Sequence, residues 1–304
     1  MGCLNSKGQF AHYFGNFHYS GSCNRSCYFC IGQHMMNLDP LNNLHQWPLP
    51  GLSKFIDELE TKGIKEVNVT GSNTDPLLAT NLDRMKAFLA ERIPELIFGV
   101  RTNGIAILSH PERWKLFDKA SISLTSFNKR IYKKTMGQGQ SPNLAKIKSL
   151  CNSGIGPSWD KVKINIVLCP ELFEDVGDAP DIFGTLYDLW QLGIKKVNVR
   201  EPYGQPEIGS KFIKMMDAHR ALRLPNLLGN ERWRIGQDNH VMEVVRWDIH
   251  TTEVESINLY ANGVVSTTYP VTQGCDPVDG KVEGQEHFVK SGRVRPQWLT
   301  VNGK

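Results

Sequence analysis

Three cysteines lie within eight residues near the start of this 304-residue chain, and they are the side chains best suited to chemistry. Cys23, Cys27 and Cys30 have the spacing CxxxCxxC, and Phe29 directly precedes the last thiol. Thiolates bind zinc and iron–sulfur clusters in proteins. The spacing therefore predicts a metal-binding loop.

The residues alone leave two kinds of metal site open. A structural zinc site usually takes four protein ligands in two separated pairs, and His18 or His34 could complete such a site here. An iron–sulfur cluster held by three thiolates would instead keep one iron available for another ligand. The four remaining cysteines are isolated in the sequence: Cys3, Cys151, Cys169 and Cys275.

The composition is that of an ordinary globular chain, with 40% hydrophobic and 22% charged residues. No apolar run approaches the roughly 20 residues that a membrane helix needs. The formal net charge is +4, and the basic residues are scattered. Charge alone therefore does not indicate nucleic-acid binding, whereas an anionic small ligand remains compatible with it.

The beginning of the sequence lacks the basic and apolar regions of a secretory signal, and the clustered thiols favour a metal site in a reducing compartment. We therefore expect a cytoplasmic location. The residues Met1 to Ser6 also fit the myristoylation pattern, and Cys3 could carry a second acyl chain. Acylation at the N-terminus is the alternative.

Strands and helices alternate over the first two thirds of the chain, which predicts an α/β fold with βαβ crossovers and a parallel sheet. Beyond them, a helix is predicted from Ile208 to Pro225, and Asn262-Gly263 predicts a hairpin in a β-rich region. Six strands are predicted at about 10–20, 67–69, 96–100, 122–124, 162–167 and 197–199. Three regions are expected: a tail at 1–9, an α/β region at 10–224 and a β-rich extension with a tail at 225–304.

With Phe29 in the aromatic position, the cysteine loop resembles the CxxxCxφC motif of the radical S-adenosylmethionine (SAM) superfamily. The resemblance covers about residues 10–205. It implies a partial (β/α)6 barrel, to which the sequence pattern adds a C-terminal β-rich extension. It also implies a [4Fe–4S] cluster on Cys23, Cys27 and Cys30, with SAM on the fourth iron. Reductive cleavage of SAM would then give a 5′-deoxyadenosyl radical that abstracts hydrogen from a substrate.

The segment after the second predicted strand occupies the place of the Gly-Gly-Glu-Pro-like turn that holds the SAM amine in this superfamily. Gly71 is retained here, but the turn is longer and has an aspartate in place of the glutamate. The resemblance leaves open which side chain meets the amine. The candidates are Ser72, Asn73, Thr74 and Asp75.

Two further strand ends supply candidate SAM ligands. Thr102 and Asn103 belong to a Thr-Asn-Gly turn that resembles the molybdenum-cofactor and activating-enzyme branches. Ser123 and Thr125 follow at the end of the fourth strand, where their hydroxyls could bond the ribose or carboxylate of SAM. The carboxyl ends of barrel strands form the active face, so all four are expected near ligand. The alternatives are an ordinary turn at Thr102 and Asn103 and solvated strand-end hydroxyls at Ser123 and Thr125.

Polar residues also alternate with apolar ones along the last two strands, at Asn165, Asn198 and Arg200. Polar groups on buried strands are costly unless they are paired or face a wet cavity. We therefore expect these side chains to face the barrel lumen and the cofactor. Arg101 or Arg200 could pair with a carboxylate or a phosphate.

Two cysteines are candidate catalytic residues. Cys169 follows the fifth strand and could donate a hydrogen atom to a product radical, with a small buried thiol as the alternative. Cys275 could close over the site from the tail. The region of Trp233, Trp247 and His250 could form a lid over the substrate, or its aromatic residues could belong to the hydrophobic core.

The expected reaction is hydrogen abstraction from a small molecule, a nucleotide or a base, with electrons from a low-potential donor such as flavodoxin or ferredoxin. One alternative is a glycyl-radical-enzyme activase or a peptide-modifying enzyme of the same superfamily. An alternative of another class is a non-catalytic iron–sulfur electron carrier or a zinc-stabilised interaction module.

Overall fold

The computed structural model describes residues 3–4, 10–32, 42–202, 205–219, 221–237, 240–248 and 254–267. Within these ranges, one large sheet contains twelve strands, and two short strands form a separate ribbon. The strands are β1 (Cys3–Leu4), β2 (Phe10–Ser20), β3 (Glu66–Ser72), β4 (Ile97–Thr102), β5 (Lys119–Ser123), β6 (Val162–Val167), β7 (Asp175–Val176), β8 (Ala179–Pro180), β9 (Lys196–Arg200), β10 (Leu222–Leu227), β11 (Asn230–Gln237), β12 (His240–Arg246), β13 (Val254–Leu259) and β14 (Val265–Ser266). The helices are α1 (Leu52–Thr61), α2 (Leu82–Arg92), α3 (Pro111–Trp114), α4 (Lys129–Met136), α5 (Leu144–Asn152), α6 (Asp181–Gln191) and α7 (Pro206–Ala218).

Six parallel strands form the centre of the large sheet, in the order β9-β6-β5-β4-β3-β2. Each neighbouring pair is parallel, so helices must carry the chain back between strands. The α/β class and the parallel sheet of six strands predicted from the sequence are confirmed. The described strands form an open sheet, as a partial barrel requires.

Helix α1 shows how these elements cover the sheet. Its apolar residues recur at helical spacing and are buried: Leu52, Phe55, Ile56 and Leu59. Each such side chain contributes about 1.5–3 kcal/mol on burial. Gly63, at a φ of 62°, turns the chain towards β3 after the helix ends.

The two faces of the parallel strands differ in chemistry. Apolar residues such as Val69, Val100 and Ile164 are fully buried in the core that the helices cover. The alternate positions, including Asn68, Ser121 and Asn165, carry polar side chains. We call this second, polar side of the sheet the inner face.

The C-terminal region extends the same sheet at both edges. Strands β10, β11 and β12 form an antiparallel meander, and β12 pairs in parallel with β9. At the other edge, β13 pairs in parallel with β2 and forms a hairpin with β14. The predicted hairpin at Asn262-Gly263 is confirmed, with Gly263 at a φ of 85°.

The helix predicted to end at Pro225 ends earlier in the structure. Helix α7 ends at Ala218, and Leu222 and Pro225 lie in β10, because this segment pairs with β11 across a turn at Leu228-Gly229. The proposed division between 224 and 225 therefore falls inside a strand. In the predicted tail at 1–9, Cys3–Leu4 pairs with Phe10–Ala11 of β2.

Helix α4 was not predicted, although its sequence carries both end signals. Asn128 accepts hydrogen bonds from the backbone N–H groups of Arg130 and Ile131, which is a typical N-cap. Gly137 follows the helix at a φ of 85°. None of the helices in the described part of the chain is long and apolar enough to cross a membrane.

Candidate functional site

The cysteine loop begins just beyond the carboxyl end of β2 and rests against α4 and the residues that follow it. The guanidinium of Arg25 donates to the carbonyl oxygens of Gln138, at 2.8 Å, and Gln140, at 2.7 Å. The backbone N–H of Tyr28 donates to the carbonyl of Thr135 at 3.3 Å. Helix α4 and its C-terminal turn therefore set the position of the loop.

The loop is also tied to the turns after β3 and β4. Thr74 donates its hydroxyl to the carbonyl of Ser22 at 2.9 Å. The side-chain amide of Asn103 donates to Asn24 Oδ1 at 2.6 Å and lies 3.8 Å from the thiol of Cys23. Three strand ends thus meet around the thiols.

Cys23, Cys27 and Cys30 are partly buried and close enough to interact electrostatically. Burial raises the pKa of the Cys23 thiol to about 11, and Asp75 and Cys30 act in the same direction. The pKa of Cys27 is also raised, first by burial and then by Cys30 and Cys23. Three thiolates here would need a cation to offset their repulsion, which bound iron supplies.

Within the described ranges, no three His, Cys, Asp or Glu side chains are arranged to hold a single metal ion. A cubane cluster has a different requirement, since each thiolate binds a separate iron and the thiols surround the cluster. The three thiols of the loop fit this donor set in number and kind.

Two glycines, Gly71 and Gly32, lie very close to the backbone of the turn after β3. A Cβ added to Gly71 would lie 1.9 Å from the carbonyl oxygen of Thr74, and one added to Gly32 would lie 1.9 Å from the backbone nitrogen of Asn73. Either substitution would move the turn or the cysteine loop. The two segments are therefore packed directly against each other.

Asp75 is buried and fully occupied by contacts within the protein. Its carboxylate accepts from the Thr102 hydroxyl at 2.8 Å, from the Asn103 backbone N–H at 2.7 Å and from the Leu77 N–H at 3.0 Å. Burial raises the pKa of the Asp75 carboxyl, while these hydrogen bonds act in the opposite direction. The structure places the residue that replaces the superfamily's glutamate inside the protein.

The other candidates in this turn differ in their contacts. Ser72 is buried with its hydroxyl 3.2 Å from Nδ1 of His18, and the Thr74 hydroxyl binds the cysteine loop. Asn73 has a left-handed backbone, with a φ of 58°, and is partly exposed. Among the described residues, the Asn73 side chain makes no hydrogen bond or ion pair, so it can accept a new partner.

Thr102 and Asn103 also have protein partners. The Thr102 hydroxyl donates to Asp75 and accepts from the Gly104 N–H at 3.0 Å. The Asn103 side-chain oxygen accepts from the Ile105 N–H at 3.1 Å while its amide reaches Asn24. The Thr-Asn-Gly turn therefore joins the cysteine loop to the turn after β3.

The two hydroxyls predicted at the end of β5 lie in different places. Ser123 is on the inner face, opposite Asn165 of β6. Thr125 is 1% exposed, and its hydroxyl lies 2.7 Å from that of Thr135 in α4. Only Ser123 is therefore positioned on the predicted ligand side.

Asn165, Asn198 and Arg200 lie on the inner face. Asn165 is opposite Asn198, and Arg200 is opposite Val167. The side-chain oxygen of Asn198 is buried without a hydrogen-bond partner among the described residues. A buried acceptor without a donor costs about 1–3 kcal/mol, so a ligand that donates to it would recover this energy.

Cys169 is buried behind the cysteine loop. Burial raises the pKa of its thiol to about 12, and a hydrogen bond with Tyr28 acts in the opposite direction. The Tyr28 hydroxyl also donates to Glu171 at 2.8 Å. The structure thus places Cys169 beside the cysteine loop, while Cys275 lies outside the described residues.

The proposed aromatic lid is only partly described. Trp233 is fully buried, packs edge-on against Phe212 and donates to Asp217 at 3.3 Å, so it belongs to the core. Trp247 follows β12 and donates its backbone N–H to Val199. His250 lies outside the described residues.

Several residues that shape this region were not singled out from the sequence. Arg25 and Asn24 hold the cysteine loop, and their partners are distant in the chain. Lys163 and Lys196 lie on the inner face, each two residues before an asparagine that was predicted there. The alternation of strand side chains could have found both lysines.

The chain belongs to the radical SAM superfamily. The model of that superfamily matches residues 18–179, which include the cysteine loop and the strands around it. Members of this superfamily are enzymes that use a [4Fe–4S] cluster and SAM, and they require a substrate and a reductant. The fold and cofactors implied by the sequence are thereby confirmed.

One curated relative and one solved structure illustrate the similarity. GTP 3',8-cyclase from Rhodococcus opacus (strain B4) is 24% identical over 160 residues, which cover 51% of this chain and 43% of the cyclase. The crystal structure of Streptococcus suis SuiB superposes with a TM-score of 0.54 at 13% identity, covering 85% of this chain and 61% of SuiB.

SuiB has also been solved with SAM and with its precursor peptide SuiA. At this identity, the likeness to SuiB shows the fold alone. The chain spans less than half of the cyclase and about three fifths of SuiB.

Proposed function

We propose that this enzyme binds its [4Fe–4S] cluster through Cys23, Cys27 and Cys30, and that it starts its reaction by taking a hydrogen atom from a small-molecule, nucleotide or base substrate. The observation that carries the proposal is the convergence of three thiols with the turns after β3 and β4, in a chain of this superfamily. When bound and reduced, the cluster supplies one electron that cleaves SAM to methionine and a 5′-deoxyadenosyl radical, and this radical takes the hydrogen.

The chain's own residues hold and orient the reactants. The thiols bind three irons, and Arg25 holds the loop in place through two backbone carbonyls. Because Asp75, Ser72 and Thr74 have protein partners, we assign the SAM amine to Asn73 and to backbone carbonyls of its turn. Ser123, Asn165 and Asn198 line the inner face beyond it.

The substrate class rests on two supports. The inner face is polar and basic, which suits a polar or anionic small molecule, and the matched relative acts on GTP according to its name. A peptide substrate or a glycyl-radical partner remains the alternative within the superfamily. The electron donor is proposed to be a low-potential protein such as flavodoxin or ferredoxin.

Anaerobic reconstitution with iron and sulfide tests this function. After reduction with dithionite, the wild-type protein should convert SAM to methionine and 5′-deoxyadenosine, measured by liquid chromatography and mass spectrometry. Cys27→Ala should lose the visible absorption of the cluster and form neither product. Cys151→Ala, which removes a buried thiol from α5, is the matched control and should keep both.

Three results would contradict the proposal. They are a wild-type protein that forms no 5′-deoxyadenosine, a Cys27→Ala variant that retains a full cluster, and a protein that holds zinc and has no visible absorption. The last result would favour the zinc-stabilised interaction module. A cluster that transfers electrons but binds no SAM would favour the electron carrier.

A further inference from the structure

A cluster of charged side chains lies on the inner face of the parallel strands, all of which are in the described part of the chain. It contains five basic residues and one acidic residue, which gives a formal excess of four positive charges. This excess equals the formal net charge of the whole chain, +4. We call this group the basic cluster: Arg101, Lys119, Lys163, Lys196, Arg200 and Glu66.

The strand register leaves room between the charges. Arg101 of β4 is opposite Ser121 of β5, and Ser121 is opposite Lys163 of β6. Neighbouring strands are about 4.8 Å apart, so the Cα atoms of Arg101 and Lys163 are separated by roughly 10 Å. Only the short Ser121 side chain lies between them, so the register leaves a gap between two cations.

Lys163 is the centre of the cluster. It is partly buried, and burial lowers the pKa of its amine to about 7, with Arg101, Lys119 and Lys196 acting in the same direction. Glu66 acts in the opposite direction, but it also forms an ion pair with Lys119 and accepts from Asn68 at 2.9 Å. Positive charges held close together in a partly buried site repel one another, and a bound anion would relieve this repulsion.

Among the described residues, no carboxylate lies within ion-pair distance of the Lys163 amine. In the described part of the chain, Glu66 forms an ion pair with Lys119 instead. Further along the same face, the Asn198 side-chain oxygen has no hydrogen-bond partner in the described part of the chain. Among the described residues, the Lys163 amine therefore has no carboxylate partner and the Asn198 oxygen has no hydrogen-bond donor, and both lie on the inner face. This combination indicates a ligand with an anionic end and a hydrogen-bond donor.

The depth of the cluster limits the shape of that ligand. Lys163 lies four residues before Val167, the last residue of β6. At about 3.3 Å per residue, this is roughly 13 Å from the carboxyl edge, where the cysteine loop lies. An anion on Lys163 must therefore belong to an extended molecule if the same molecule is to react near the loop.

We propose that the basic cluster binds the phosphate groups of an extended, phosphorylated substrate whose other end reaches the cysteine loop. This inference rests on the proposed function, since it names the substrate class of the same site. Arginine binds phosphate in a bidentate manner, and lysine adds point charges. A di- or triphosphate carries several negative charges to match several cations, whereas the single terminal carboxylate of an otherwise neutral peptide brings only one.

Binding to the reconstituted holoenzyme, without reductant, tests the proposal. Isothermal titration calorimetry would compare tripolyphosphate, GTP, guanosine and a glutamate-rich hexapeptide. The wild-type protein should bind tripolyphosphate and GTP, with affinities that fall as salt rises, and should bind guanosine much more weakly.

Two variants separate the cluster from general charge. Lys163→Met should weaken binding of tripolyphosphate and GTP by about 10- to 100-fold, the range for one charged hydrogen-bond partner. Lys161→Met, an exposed lysine two residues earlier, should change it by less than about twofold. Because Lys163→Met removes a charge repelled by its neighbours, it should fold and keep its thermal unfolding temperature and its cluster absorption.

The proposal fails if tripolyphosphate and GTP bind no better than guanosine, if the two lysine variants bind alike, or if the acidic peptide binds more tightly than tripolyphosphate. A separate measurement distinguishes failure of the proposed function. Reduced wild-type enzyme should form 5′-deoxyadenosine from SAM, and Lys161→Met, at the exposed position, should retain this cleavage. Loss of SAM cleavage with retained phosphate binding would overturn the proposed function and leave the anion site in place.

Discussion

Asp75 is a candidate ligand for SAM in the sequence, but in the structure its carboxylate has hydrogen-bond partners within the protein. It occupies the place of the superfamily's glutamate, yet its carboxylate accepts three hydrogen bonds from Thr102, Asn103 and Leu77. These bonds cap the 3₁₀ turn Pro76–Leu78 and fix the turn after β4. We therefore expect Asp75 to act on the stability of the site.

Asp75→Asn should lower the free energy of unfolding by about 1–3 kcal/mol. The reason is that the amide group of the asparagine would face an N–H or O–H donor that now hydrogen-bonds to the carboxylate. Chemical denaturation measures this change, and equilibrium binding of SAM to the reconstituted protein gives the comparison. Asp178→Asn, at an exposed position, is the control and should leave stability unchanged. A large loss of SAM affinity without a loss of stability would instead make Asp75 a direct ligand.

At the scale of elements, the cysteine loop depends on the turn after α4. Arg25 bridges the loop to Gln138 and Gln140, and its guanidinium lies 5.9 Å from the centre of the Tyr132 ring. Gly139 has a φ of 103°, and an added Cβ would lie 2.6 Å from the Arg25 guanidinium. The close fit means that the loop and the turn move together.

Arg25→Met should accelerate release of iron from the reconstituted protein at least several-fold, because the methionine keeps a long side chain beside Tyr132 but loses both donors. The decay of visible absorption in the presence of a chelator measures the rate. Arg130→Met, on the exposed side of α4 where Arg130 pairs with Glu174, should release iron at the wild-type rate. Equal rates for all three proteins would show that Arg25 does not retain the loop.

At the scale of the whole molecule, a buried polar network joins the first barrel strand to the C-terminal region. Asn16 donates to Asn258 at 3.1 Å, and the His18 ring lies between Asn258, at 3.4 Å, and Ser72, at 3.2 Å. The same ring stacks on Tyr260. Strands β13, β2 and β3 are therefore connected by side chains as well as by the sheet.

The network predicts acid sensitivity. Burial lowers the pKa of His18 to about 3, with Arg101 acting in the same direction and the hydrogen bond to Asn258 opposing it. Between about pH 6.5 and 3 the unfolded chain binds a proton that the folded chain excludes. The stability present above pH 6.5 is therefore lost as pH falls through this window, by up to about 1.4 kcal/mol per pH unit.

Urea unfolding at several pH values measures how the free energy of unfolding changes with pH. Comparing a variant with the wild-type protein removes the contribution of the carboxylates, because both proteins contain them. His18→Gln should have a shallower loss of stability with acid than the wild-type protein. His45→Gln, at an exposed histidine bonded to Thr80, should follow the wild-type curve. Parallel curves for wild type and His18→Gln would contradict the assignment.

The parallel core was predictable because its strands are short apolar runs separated by amphipathic helices, a local pattern. The end of α7 was not, since Leu222 continues the helical spacing while pairing with β11 decides its conformation. The attachment of β13 to β2 depends on contacts between distant segments, which periodicity does not report.

The candidate site divides in the same way. The cysteine spacing is a local signal, and it predicts the metal-binding loop. The partners of Asp75 and Thr125 lie on other elements, so the sequence could not show that their polar groups are occupied. The lysines of the inner face follow from strand alternation once Asn165 and Asn198 are placed there.

The position of β2 between β3 and β13 has a consequence for synthesis on the ribosome. Asn16 and its partner Asn258 are 242 residues apart. At about 5–20 residues per second, β13 follows β2 out of the ribosome by roughly 10–50 s. During that time β2 can pair with β3 while its other edge presents unpaired backbone groups, which favour association with other chains. The nascent protein is therefore expected to depend on chaperones until β13 has been synthesised.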